Sequence, residues 1–151
     1  MEDVIMKKKI FPALLFCSAL FILVGCVTTL QGYKPRNSNE GAIKALLVRW
    51  ETTWNSHDVN GNLALWNDRA KIMYGLDRKL ATKQEYANIL PERIKAHPTI
   101  KLGSPRIRVS GNKADVSLDM SLGDWKGAYK VPTTFHLVRE NGGWSIISWE
   151  Y

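Results

Sequence analysis

The sequence predicts an α+β fold in which helices come first and an antiparallel sheet follows. Three observations carry the prediction. Apolar residues recur at helical spacing between Ile43 and Trp54. From Ile100 onward the apolar period changes to two, the signature of strands with one buried face. Between these stretches stands Thr82-Lys83-Gln84-Glu85, a capping box that opens a further helix.

Taken in order, Ser38 or Asn39 can cap a first helix whose apolar positions are Ile43, Leu46, Leu47, Trp50 and Trp54. That helix should stop near Asn55-Ser56-His57-Asp58. Asp58 or Asn60 can then cap a short second helix running through Leu63 and Trp66. Lys71 to Tyr74 reads as a short strand closed by Gly75. The third helix carries Tyr86, Ile89, Leu90 and Ile94; Pro91 should kink or split it, and His97-Pro98 should end it. Ile100 to Ser110 is the first long strand, broken near Gly103 and Pro105, and Gly111-Asn112 turns the chain. Ala114, Val116, Leu118, Met120 and Leu122 alternate with Asp115, Ser117, Asp119 and Ser121, which describes a half-buried antiparallel strand. A turn at Gly123-Asp124 leads to a strand from about Tyr129 to Glu140. Asn141-Gly142-Gly143 is a hairpin signal, and Trp144 to Tyr151 is the last strand.

Element order and residues together resemble the nuclear transport factor 2-like superfamily, and within it the SnoaL-like (polyketide cyclase-like) branch. The matching pieces are Trp54-Asn55-x-His57-Asp58, Leu65-Trp66-x-Asp68 and Asn141-Gly142-Gly143-Trp144-Ser145-Ile146, within a domain from residue 40 to residue 151. The resemblance implies a cone, with N-terminal helices packed on a bent antiparallel sheet around a pocket, often dimeric through the outer face of the sheet. Members use that pocket as an isomerase, hydrolase or cyclase site, or as a binding surface, so fold alone does not decide.

The N-terminus carries a different signal. Lys7-Lys8-Lys9 precedes an apolar run from Ile10 to Val24, too short for the roughly 20 residues of a membrane-spanning helix. The run ends in Leu23-Val24-Gly25-Cys26, which resembles the lipobox of bacterial lipoproteins. The resemblance implies removal of residues 1–25, acylation of Cys26, and attachment to the membrane of the bacterial cell envelope. Val27 in place of Asp after the cysteine resembles the pattern sent to the outer membrane, facing the periplasm, in a diderm. Met6 is an alternative start to Met1. Val27 to Asn39 shows no periodicity and reads as a flexible tether following the acylated Cys26, with a reach of about 45 Å when extended and about 20 Å as a coil.

Composition narrows the functions. The chain has 151 residues with 21 basic and 14 acidic side chains, a net charge of +7. The first 25 hold three Lys and two acidic residues, so the remaining 126 keep 18 basic against 12 acidic groups. These cations are spread without a run, which argues against a nucleic-acid groove and allows contact with anionic headgroups or cell-wall polymer. Cys17 leaves with the leader, so no disulfide is expected. Three scattered His residues point to no metal, and no phosphate loop or cofactor motif is present.

Candidate catalytic groups are Tyr74, Asp77, Asp119 and His136. Asp119 shares the parity of Asp115 and should face solvent or a second copy. Asp77 lies beside Arg78 and Lys79, where a surface ion pair is the simple account. His136 sits between Phe135 and Leu137, and either face could be inner. Trp50, Trp54 and Trp149, with Tyr74 and His136, are the candidates for the wall of a ligand pocket, since aromatic side chains suit a flat or apolar ligand. The expected function is a membrane-anchored, non-catalytic domain that binds a small apolar ligand or an envelope protein. The alternative is a SnoaL-like isomerase, hydrolase or lyase acting on an apolar small molecule.

Overall fold

A computed structural model describes residues 29–75, 77–124 and 126–151. The apolar leader and Cys26 lie outside the described residues. Helix α1 spans Ser38–Asn55 and is capped by Asn37, one residue before the expected cap, whose side chain accepts from the Glu40 N–H. Asp58 caps the short helix α2 (Val59–Leu63) as expected, accepting from the Gly61 N–H. Strand β1 (Trp66–Tyr74) and strand β2 (Lys79–Thr82) follow, then helix α3 (Lys83–Ala96) behind the Thr82/Glu85 capping box. Pro91 does not split α3. It sits on the exposed side of the helix, where water can satisfy the carbonyl that its missing N–H leaves unpaired.

Four long strands complete the chain: β3 (Thr99–Ser110), β4 (Lys113–Asp124), β5 (Gly127–Glu140) and β6 (Gly143–Glu150). They form an antiparallel run, and the whole sheet has the order β2-β1-β6-β5-β4-β3. The sheet is mixed rather than wholly antiparallel, because β1 runs parallel to β6. The β4–β5 turn falls after Asp124 rather than at Gly123-Asp124. The Asp124 carboxylate closes it by accepting from the Lys126 and Gly127 N–H groups. At Asn141-Gly142 both residues have positive φ (50° and 82°), as a two-residue hairpin turn requires.

Two corrections concern the first half of the sheet. Trp66 is the first residue of β1, not the end of a helix, and the Ile146 N–H already bonds to the Leu65 carbonyl. The period of two is hidden there because the ladder shifts register between Trp66 and Lys71, where the Asn67 side chain accepts from the Arg69 N–H. Strand β2 is four residues long with Leu80 exposed, too short to show an alternation.

One face of the sheet carries the core. Ala114, Val116, Leu118 and Met120 of β4 and Phe135 and Leu137 of β5 point inward, with α1 lying against β3 and β6 and α3 against β1 and β2. The opposite face shows Asp115, Ser117 and Asp119 of β4 with Thr134 and His136 of β5.

The stretch read as a free tether is folded onto the domain from its third residue. Thr29 bridges Gly103, the Leu30 N–H donates to the Leu102 carbonyl (2.9 Å), and the Leu30 side chain is buried in the core. Tyr33 Oη and the backbone and side chain of Arg36 all donate to the Glu40 carboxylate. These donors favour the charged form and hold the Glu40 carboxyl down at about 2, from an ordinary value of 4.5. A carboxylate whose folded pKa is depressed stabilises the fold above its unfolded pKa and loses that contribution as pH falls. The melting temperature should therefore drop between about pH 5 and pH 2 more steeply for the natural chain than for Glu40→Gln, the two curves converging at the acid end. Parallel curves across that range would remove Glu40 as the cause.

Candidate functional site

The fold offers two places for a ligand, the inside of the sheet-and-helix layer and the outer face of the sheet. The inside is filled. Trp50 lies 5.3 Å from Trp54, 5.2 Å from Phe135 and 5.5 Å from Trp149, ring centre to ring centre, and Trp66 packs edge-on against Trp149 at 5.9 Å. Trp50, Trp54 and Trp149 are at most 2% exposed. The Trp54 indole donates to the His97 carbonyl and that of Trp149 to the Met73 carbonyl, which locks both rings. What remains is a cavity of about 20 Å³ between Trp54, Arg93, Met120, Trp149 and Tyr151. One water occupies that much space, while small-molecule sites run to roughly 300 Å³ and more. Trp50, Trp54 and Trp149, expected as pocket wall, are buried in the core, and Trp54 and Trp149 line this small cavity.

Some polar groups at this end are nevertheless unpaired. Tyr86 Oη, Arg93 Nε and His97 Nδ1 are buried without a hydrogen-bond partner. Burial pushes the Tyr86 phenol well above its ordinary range, so it stays protonated. Burial, and then the Arg93 charge, push the His97 imidazole down. Of these three residues only Arg93 lines the small cavity, whose other walls are largely apolar.

The outer face is open. A groove of about 420 Å³ crosses β3, β4, β5 and β6, with Arg78 and Arg106 on its rim, Asp119 and Glu150 among its walls, and the Ser117 and Thr134 hydroxyls between. Register explains the assembly: Arg106 sits opposite Ser117, Ser117 opposite Thr134, and Thr134 opposite Glu150. A break in the β3–β4 ladder between Gly103 and Arg106, with Ser104 at positive φ, opens the end of the groove. A second recess of about 200 Å³ continues it past Arg108, Asp115 and His136. Tyr151 separates the groove from the filled interior. Its ring stacks edge-on against Trp149 at 5.6 Å, and its hydroxyl donates to the Gly75 carbonyl.

His136 is therefore on the outer face, not in an inner pocket. Its Nδ1 lies 2.7 Å from Asp115 Oδ1, and its Nε2 lies 3.5 Å from Glu150 Oε1. Nε2 is shielded from solvent and makes no hydrogen bond. The imidazole thus ties β5 to β4 through Asp115 and lies beside Glu150 of β6. Asp119 lines the groove, as its parity predicted. Asp77 pairs with Lys79 at 2.9 Å on the surface, which holds its carboxyl below the usual range. Tyr74 packs against the core from the end of β1 and lines neither space. The four candidate catalytic groups do not converge in one buried cavity. Among the described residues no cluster of three His, Cys, Asp or Glu side chains could hold a metal. Arg78, Arg106, Ser117, Thr134 and Glu150 were not singled out in the sequence. The period of two in β4 marked only Ser117 as outward, and strand register supplied the rest.

No protein-family model matches this chain, and no curated protein sequence does. Solved structures do. A nuclear transport factor 2-like protein of unknown function from Pseudomonas putida is similar over 74% of this chain and 83% of its own, with a TM-score of 0.66 and 18% identity. A putative calcium/calmodulin-dependent protein kinase II association domain from Xanthomonas campestris matches over 78% of this chain and 89% of its own, with a TM-score of 0.65 and 14% identity. A nuclear transport factor 2-like protein with a cystatin-like fold from Novosphingobium aromaticivorans covers 73% and 78%, with a TM-score of 0.62 and 16% identity. The fold is the nuclear transport factor 2-like cone, and at these identities the likeness extends to the fold alone.

Proposed function

We propose that this chain is a lipid-anchored protein of the bacterial envelope whose domain is a non-catalytic binding module, taking a polar partner on the outer face of its sheet. The observation that carries the binding reading is the distribution of space: about 20 Å³ inside the cone against about 420 Å³ on the outer face. Facing cations (Arg78, Arg106) and carboxylates (Asp119, Glu150), with hydroxyls between them, suit a partner bearing both charges, such as an extended segment of an envelope protein. The Xanthomonas campestris protein of similar fold is named a putative kinase association domain, which agrees with a binding use of this scaffold. The anchor rests on Leu23-Val24-Gly25-Cys26 behind a basic and apolar leader, and Val27 favours the outer membrane of a diderm.

Two measurements test the parts separately. The intact mass of the chain extracted from bacterial membranes should show loss of residues 1–25 and acyl chains on Cys26; an unmodified chain overturns the anchor. In a titration followed by NMR, zwitterionic peptides should perturb Arg106, Ser117 and Thr134, while an apolar dye leaves tryptophan emission unchanged. A dye that enters and shifts that emission would return the site to the interior.

A further inference from the structure

Folding of the supposed tether changes where an anchor would hold the domain. Only residues 27 and 28 separate Cys26 from Thr29, which is fixed against Gly103 at the β3 edge. The three steps from Cys26 to Thr29 reach at most about 11 Å. An acyl group on Cys26 therefore holds the β3 edge at the headgroup layer, and the surface beside that edge must meet lipid.

That surface is basic. After Thr29 the chain turns over residues 30–32 and comes back beside β3 at Arg36, whose guanidinium donates to the Ile107 carbonyl. Lys34, Arg36, Arg106 and Arg108 line one open recess of about 490 Å³, and no carboxylate is among its lining residues. Arg36 is paired with Glu40, whereas Lys34, Arg106 and Arg108 make no ion pair among the described residues. All four are exposed. Across the strands Asp115, opposite Arg108, is engaged with His136. We propose that the anchored domain docks on anionic phospholipid headgroups through Lys34, Arg36, Arg106 and Arg108, with the β3 edge toward the bilayer. This rests on the lipid-anchor reading above. Because Arg106 belongs to both the recess and the groove, docking sets the groove opening beside the membrane surface.

The test uses the full chain, extracted and reconstituted in vesicles of neutral phosphatidylcholine or with about a third phosphatidylglycerol. A nitroxide is placed at Pro35→Cys, between two of the cations, or at Asn88→Cys on α3, which packs at the opposite end of the sheet. The Pro35 label should contact a headgroup-bound relaxation agent on the anionic vesicles and much less on neutral ones, while the Asn88 label stays aqueous on both. Neutralising Lys34, Arg106 and Arg108 to Gln should reduce the docked-to-free ratio about fivefold per charge, so about a hundredfold in all. A chain that carries acyl groups and stays with the vesicles, yet shows an aqueous Pro35 label on both lipids, overturns docking and leaves the anchor standing. Equal contact on both lipids overturns the electrostatic part. An unmodified Cys26, with the chain washed from the vesicles, overturns the anchor and docking with it.

Discussion

Trp50→Ala is expected to lower the free energy of unfolding by about 4 kcal/mol, measured by urea denaturation. Trp50 is fully buried and touches Trp54, Phe135 and Trp149, so its removal opens a void beside two indoles, those of Trp54 and Trp149, that are themselves fixed by hydrogen bonds. Trp50→Phe separates size from polarity. The Trp50 indole N–H has no partner to lose, so the smaller ring should cost only about 1 kcal/mol. Trp149→Phe should cost more, because it also breaks the 2.6 Å bond to the Met73 carbonyl. A loss below about 1 kcal/mol for Trp50→Ala would mean that the interior closes over the gap, and that the cone can open and shut around a guest.

The second large effect is expected at Leu30. If Thr29 to Arg36 were a tether, Leu30→Ala would leave stability untouched. Buried at 1% exposure beneath a backbone bond to β3, it should instead cost about 3 kcal/mol. Hydrogen exchange should show the Leu30 amide protected along with the amides of β3. Rapid exchange there, with unchanged stability in the variant, would restore the tether.

Much of the fold could be read from local chemistry. The Thr82/Glu85 box, the Asp58 cap, the strict alternation of β4 and the Asn141-Gly142 turn each act over three to ten residues, and each reads the same in sequence and structure. What escaped detection depends on distant parts of the chain. Leu30 looks like any loop leucine until Leu102 arrives beside it. The first half of strand β1 shows no period because its ladder shifts between Trp66 and Lys71, and its parallel pairing with β6 joins distant residues, such as Trp66 and Ile146, 80 apart. The site was least legible of all. A row of tryptophans reads equally as pocket wall or as packing, and only their mutual distances decide that they fill the cone. The groove exists only once register sets Arg106, Ser117, Thr134 and Glu150 side by side.

The segment folded along β3 has one more consequence. Strand β3 is twelve residues long and ends the sheet, so without a neighbour it would offer a ladder of unpaired amides to any extended chain. Thr29 and Leu30 cover that edge at Gly103 and Leu102, and the Arg36 side chain takes the Ile107 carbonyl further along. At the other end, β2 limits the same hazard by being only four residues long. The strap is thus a guard as well as a lead-in. A protease that cuts after Arg36 would release it, and a molecule nicked there would tend to add strands from its neighbours and come out of solution.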